Sequence, residues 1–218
     1  MIHPKTFSFL RNLARNNNRD WFNQNKSDYE RARKNVVEFT EELINKSSEF
    51  DSEMIKIDST KALFRIYRDT RFSLDKTPYK TNFGIGLGFK NSKAGSGYYL
   101  HLEPGKSFVA GGVYHPESSV LKKIRQEISS NKDEFIKIIE HDDFRNNFRG
   151  LSVENKLQRV PTGFEKDNPM AEFLKLKNFN VSHPISDEIL MSDEAVVEVA
   201  RIFKSIKPLN DFLEVPFD

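Results

Sequence analysis

Cysteine is absent from all 218 residues, which removes disulfides, thiolate zinc sites and cysteine nucleophiles from consideration. A cytoplasmic location follows as the default expectation. No apolar run approaches the length of a membrane span, so no membrane partner is expected. Residues 1–18 lack both a clean apolar segment and a small-residue cleavage site, and do not read as a signal peptide. Charge of one sign is missing too. The net charge is +2, which permits nucleic-acid binding without the basic excess that usually announces it. Tryptophan occurs once, whereas 19 phenylalanines supply ample core material. The length suits one substantial core, and no repeat, low-complexity tract or linker divides it, so a single domain over 1–218 is expected.

Taken in order, the pattern is helical at both ends and extended in the middle. Residues 6–15 place Phe7, Leu10, Leu13 and Ala14 on one helical face. The string SDYE from Ser27 fits a capping box, and Tyr29, Ala32, Val36, Phe39 and Leu43 then repeat at helical spacing over about five or six turns. Ile55 and Ile57 suggest a short strand. Residues 63–68 and 83–89 alternate with period two, as do 98–103, and Glu103, Pro104, Gly105 and Lys106 predict a type II turn into a hairpin partner over 107–114. Helices are expected around Ile124 and Ile128, around Phe135, and from a cap at Ser192 to Ile206. The expected fold class is α+β: a central antiparallel β-meander packed by N-terminal and C-terminal helices.

Residues 63–90, LFRIYRDTRFSLDKTPYKTNFGIGLGFK, carry the candidate site. Read as regular strands, they put Phe64 and Ile66 on the core face with Phe83, Ile85, Leu87 and Phe89. Arg65 and Tyr67 then share the other face with Gly84, Gly86 and Gly88. Glycine within a strand marks a close approach to the backbone, either by a ligand or by a covering helix or ring. The GxGxG spacing is not the dinucleotide fingerprint, and no helix start follows it. From Arg65 to Lys80 there are five basic residues (Arg65, Arg68, Arg71, Lys76, Lys80) against Asp69 and Asp75. Guanidinium forks and ammonium groups suit phosphate or carboxylate, and interleaved Phe72 and Tyr79 offer stacking rings. The competing reading is a solvated loop whose own ion pairs hold its shape.

If Leu100 faces the core, Tyr99, His101 and Glu103 join the glycine face. His101 with Asp69 or Glu103 then becomes a candidate general acid/base, the alternative being a histidine satisfied by a neighbouring carboxylate. The short combinations at His101, His115 and His141 match no recognised ligand spacing, so no metal is expected. The cofactor stays unknown. NNNRDWF, FRIYRDTRFSLDKTPYKTNFG, YYLHLEPGKSFVAGGVYHP and RVPTGFEKDNP together resemble the uncharacterised group catalogued as domain of unknown function 2461. The resemblance implies one full-length domain and brings no activity, substrate or cofactor with it. The expectation is therefore a domain that binds an anionic small molecule through Arg65, Tyr67, Arg68, Arg71, Lys76, Lys80, Gly84, Gly86, Gly88 and Tyr99. Its rivals are an enzyme using His101, a nucleic-acid binder and a protein-interaction module.

Overall fold

The first helix opens at a proline, whose missing N–H costs nothing at that position. The computed structural model describes residues 1–217. In chain order the elements are α1 (Pro4–Arg15), α2 (Arg19–Gln24), α3 (Lys26–Ser47), a 3₁₀ turn (Ser52–Lys56) and α4 (Ser59–Ala62). Three strands follow: β1 (Phe83–Leu87), β2 (Ser96–Leu102) and β3 (Phe108–Val113). Helices α5 (Ser118–Ser130), α6 (Lys132–Ile139), α7 (Asp142–Asn147) and α8 (Ala171–Leu174) precede β4 (Phe179–Pro184). The short α9 (Asp187–Leu190) and long α10 (Ala195–Glu214) complete the order. The strands form one antiparallel sheet in the order β1-β2-β3-β4, with helices packed on it, so the fold is α+β. Among the described residues no helix is long and apolar enough to cross a membrane.

Contacts divide the chain into two units. The first comprises Met1–Leu87, Tyr99–Val109 and Pro184–Arg201. Its helical core is the predicted stripe of α3 (Ala32, Val36, Phe39, Leu43) against Phe7, Leu10 and Leu13 of α1. Asn35, buried on α3, accepts from the His3 backbone N–H and the Thr6 hydroxyl, both at 2.8 Å. That bond supplies the cap that α1 lacks in its own side chains. Phe83, Ile85 and Leu87 of β1 are buried, as are Leu100 and Leu102 of β2. The Glu103 carbonyl accepts from Lys106 N–H at 2.9 Å with Gly105 at φ +73°, as a type II turn requires.

The second unit comprises Gly88–Tyr98, Ala110–His183 and the chain from Ile202 onward. Phe135 fills its centre against Phe173 and Phe212, and Tyr98 lies against Phe203 of α10. Two glycines of β3 set its packing. A Cβ on Gly111 would stand 2.7 Å from both the Gly97 carbonyl and an Ile206 methyl, so α10 seats only on a bare backbone here. Gly112 has φ +104° and would press a Cβ against Phe179 and to 2.8 Å from Asn180 Cα on β4. The carboxylate of Glu214 is held by the Ser96 hydroxyl at 2.7 Å, the Lys93 N–H at 3.1 Å and the Ser92 hydroxyl. The last turn of α10 is thereby tied to the serine-rich loop before β2.

Several local expectations are corrected. The helix α3 begins before Ser27, at Lys26, with Asn25 in the cap position, so the capping-box string lies inside the helix. Ile55 sits in a 3₁₀ turn and is exposed, rather than in a strand. Strand β1 stops at Leu87, and Gly88 turns away at φ +89°. Ser192 donates its hydroxyl back to the Ile189 carbonyl at 2.8 Å instead of capping α10. Strand β4, with only Phe179 and Val181 as buried alternates, carried too short a pattern to be read. Gly112→Ala should cost roughly 3 kcal/mol or more, combining strained φ with backbone overlap. Gly163→Ala, also at positive φ but with nothing near its Cβ, should cost about 1 kcal/mol in the same urea titration. Equal losses would show that close packing at Gly112 does not matter.

Candidate functional site

The stretch 63–68 forms no regular strand; it pairs with 78–85 as an irregular antiparallel ribbon along the open side of β1. Leu63 bridges Ile85 and Tyr67 bridges Tyr79. Between those bridges lie four residue steps on one side and six on the other, so two residues, Thr81 and Asn82, are extra. Two extra residues bend the segment but keep its two-residue alternation, so facing is set by the register, which puts Leu63 rather than Phe64 opposite Ile85. That register puts Phe64 out of the core, at 48% exposure and on the glycine side of β1, while Ile66 stays buried. Phe64 therefore stacks on Tyr99 with ring centroids 5.8 Å apart. This corrects the regular alternation assumed for the stretch.

The bulge also delivers Thr81 and Asn82 to the polar row of β2. Tyr99, His101 and Glu103 share one face, as their spacing predicts. The Tyr99 hydroxyl lies 3.1 Å from His101 Nδ1, the Asn82 amide 3.3 Å from the same nitrogen, and Glu103 Oε2 3.1 Å from Nε2. Burial, with a smaller contribution from Glu103, pushes the Tyr99 phenol up to about 12. It stays protonated near neutral pH and can donate to Nδ1. Phe108 stacks flat on the imidazole at 4.7 Å. The row is a continuous hydrogen-bonded chain from the Tyr99 phenol through His101 to the Glu103 carboxylate. Of the two carboxylates proposed for His101, Glu103 is the one bonded to it; Asp69 accepts from Arg71 at 2.7 and 3.0 Å.

The glycines are not equivalent. A Cβ on Gly84 would stand 2.7 Å from the Tyr99 hydroxyl and 3.1 Å from Phe64, so the protein's own rings occupy that ground. Gly86 lies half-buried within β1. Gly88 falls outside the strand, in the second unit.

A cleft of about 310 Å³ opens on the ribbon, lined by Arg19 and Asn23 of α2 and by Tyr67, Arg68, Thr70, Pro78 and Tyr79. The local sequence explains each position. Asn18 caps α2 by accepting from Trp21 N–H at 2.9 Å. The Asn17 amide clamps the backbone of Tyr79, donating to its carbonyl at 2.9 Å and accepting from its N–H at 3.1 Å. Phe22 then stacks on Tyr79 with centroids 4.0 Å apart and planes within 13°. Burial, and to a lesser degree Tyr67, raises the Tyr79 phenol, while the Arg19 charge opposes the rise. Arg19, Asn23, Thr70 and Pro78 were not among the residues expected from sequence. NNNRDWF holds more polar side chains than a helix cap requires, which is the one signal that could have pointed to them.

The cations of the charged stretch divide into two groups. Arg68 bonds Asp75 and Thr77, Arg71 bonds Asp69, and Lys76 donates to the Thr70 carbonyl at 2.9 Å. Those three hold the loop 69–77 in shape. Among the described residues the side chains of Arg65 and Lys80 make no hydrogen bond or ion pair, whereas the Lys80 backbone N–H donates to the Ile66 carbonyl at 2.7 Å. Burial first, and the charge of Arg65 second, lower the Lys80 ammonium, whose Nζ lies 5.7 Å from the Phe64 ring centre.

Asp75 is held down to about 2, chiefly by the Thr77 backbone N–H and next by the Arg68 side chain. Its depressed value means that its contribution to loop order is complete above the ordinary carboxylate range near 3.8 and is lost as pH falls through about 2. Arg68→Ala should move the Asp75 midpoint only part of the way back, because the Thr77 amide remains. Carboxyl chemical shifts followed between pH 6 and pH 1.5 would check this, and an unmoved midpoint would remove Arg68 from the loop's framework.

The two segments that meet at Phe22 and Tyr79 are NNNRDWF and FRIYRDTRFSLDKTPYKTNFG, two of the four strings on which the family resemblance rests. No curated protein and no solved structure matches the chain. A family model described as "Conserved hypothetical protein (DUF2461)" matches residues 5–212, and the chain belongs to that family.

Proposed function

We propose that the protein binds a small ligand bearing a phosphate or carboxylate, in the cleft between α2 and the ribbon. One observation carries the reading: two guanidinium groups and two phenol rings line a single cleft with no acidic residue in its lining, Arg19 being unpaired there while Arg68 also bonds Asp75 of the loop. Arg19 and Arg68 would face the anion with forked N–H donors. Asn23 and Thr70 would add neutral hydrogen bonds, and Tyr67 and Tyr79 a stacking wall. Arg65 and Lys80, unpaired on the same ribbon, extend the positive field. The cleft's size is at the lower end of ligand sites. Absence of cysteine supports a reducing, cytoplasmic setting, and the span of the family match supports one functional domain.

A second reading, an enzyme with His101 as general acid/base, is favoured by the hydrogen-bonded row from Tyr99 to Glu103. Both imidazole nitrogens are already engaged and the ring is stacked, which fits a structural role better. Ligand binding is therefore preferred.

The Arg19 side chain makes no hydrogen bond or ion pair among the described residues, so its removal should leave the fold intact. Arg19→Ala should weaken binding of a phosphate or carboxylate ligand about 10- to 100-fold, the worth of a charge-assisted hydrogen bond. Thermal unfolding with inorganic phosphate, aryl phosphates and aryl carboxylates reads this out. A ligand at about 100 times its dissociation constant adds about 2.7 kcal/mol of stability. No shift of the wild-type protein by any member of that set would sink the reading.

A further inference from the structure

Phe72 and Leu74 are 96% and 103% exposed, the two most exposed large apolar side chains described. Both stand on the loop 69–77, whose ends are pinched together where Arg68 N–H meets the Pro78 carbonyl at 2.9 Å and Tyr67 bridges Tyr79. A compact loop with a closed neck is a recurrent functional device. This one is held in shape by the internal bonds of Arg68, Arg71, Lys76, Asp75 and Thr77. The neck itself lines the cleft. Arg68, Thr70 and Pro78 are cleft residues, and Phe72 is two residues beyond Thr70, within about 7 Å of chain.

We infer that the anion bound in this cleft carries an apolar body, aryl or acyl, and that the loop 69–77 closes on it through Phe72 and Leu74. The inference rests on the ligand-binding reading above. A bare phosphate or small carboxylate would need only the guanidinium groups and leaves no use for two apolar side chains raised on a braced loop. An amphipathic anion uses both. Its charged end meets Arg19 and Arg68, and its body lies on Tyr67 and beneath Phe72 and Leu74. Dry burial of such a body is worth roughly tenfold or more in affinity.

The test compares phenyl phosphate with inorganic phosphate by calorimetry. The wild-type protein should prefer phenyl phosphate by about tenfold or more, and Phe72→Ser/Leu74→Ser should bring the ratio near one. Little folded packing is lost in that variant, because both side chains already stand in solvent. A second readout uses the absence of cysteine: Leu74→Cys can be labelled uniquely with a solvatochromic dye. Its emission should shift blue with phenyl phosphate and not with inorganic phosphate. If neither phosphate binds, both readings fall. If both bind with equal affinity, or the double variant keeps the preference, the loop's role alone is overturned. A blue shift produced by anionic lipid vesicles but not by phenyl phosphate would likewise overturn it, and would assign the loop to a membrane surface.

Discussion

The face-to-face contact of Phe22 and Tyr79 fixes nearly everything of interest in the first unit. Two rings at 4.0 Å hold α2 against the ribbon, and the paired hydrogen bonds of Asn17 prevent Tyr79 from sliding along it. Aromatic stacking gives distance and tilt, while the amide clamp gives register; neither alone would position a guanidinium. Together they place Arg19 beside Tyr67 and Arg68 with no flexible segment between. The cleft is thus a product of packing, and for the ligand proposed above such a preformed site would lower the ordering cost of binding.

Counting charges overstated what the charged stretch offers to a partner. Five cations lie between Arg65 and Lys80, yet Arg71 and Lys76 are bonded within the loop, and Arg68 is shared between loop and cleft. Exposed pairs of this kind contribute little stability singly, but several on nine or so residues can specify a shape. Arg65 and Lys80 differ because they lie close enough for one to depress the other and have no acid bonded to them. The electrostatic question is which charges are already answered, and a sequence lists them all alike.

Much of the fold was legible because its elements repeat cleanly. Tyr98, Leu100 and Leu102 alternate with Tyr99, His101 and Glu103 in both pattern and structure, since β2 has neighbours on both sides and no irregularity. The α3 stripe was legible for the same reason. Residues 63–68 face otherwise than their alternation predicts because their register on β1, with Leu63 opposite Ile85, is invisible in their own composition. The cleft was half legible. Tyr67 and Arg68 stood out within the charged stretch, whereas Arg19 and Asn23 reach it through a contact spanning 62 residues. Glycine misled in a similar way. The rhythmic Gly84, Gly86 and Gly88 drew attention, while the adjacent Gly111 and Gly112, with no rhythm at all, govern how close the strands and α10 come.

The extra pair Thr81 and Asn82 has another consequence, for solubility. The side of β1 away from β2 would otherwise present a straight row of N–H and C=O groups, an invitation to another chain's strand. The ribbon covers that row, and its mismatched pairing denies any newcomer a regular ladder of its own. Arg65 and Arg68 along the outer segment add charge where an aggregating strand would have to lie. The irregularity that feeds Asn82 to His101 thus also blunts the β1 edge of the sheet.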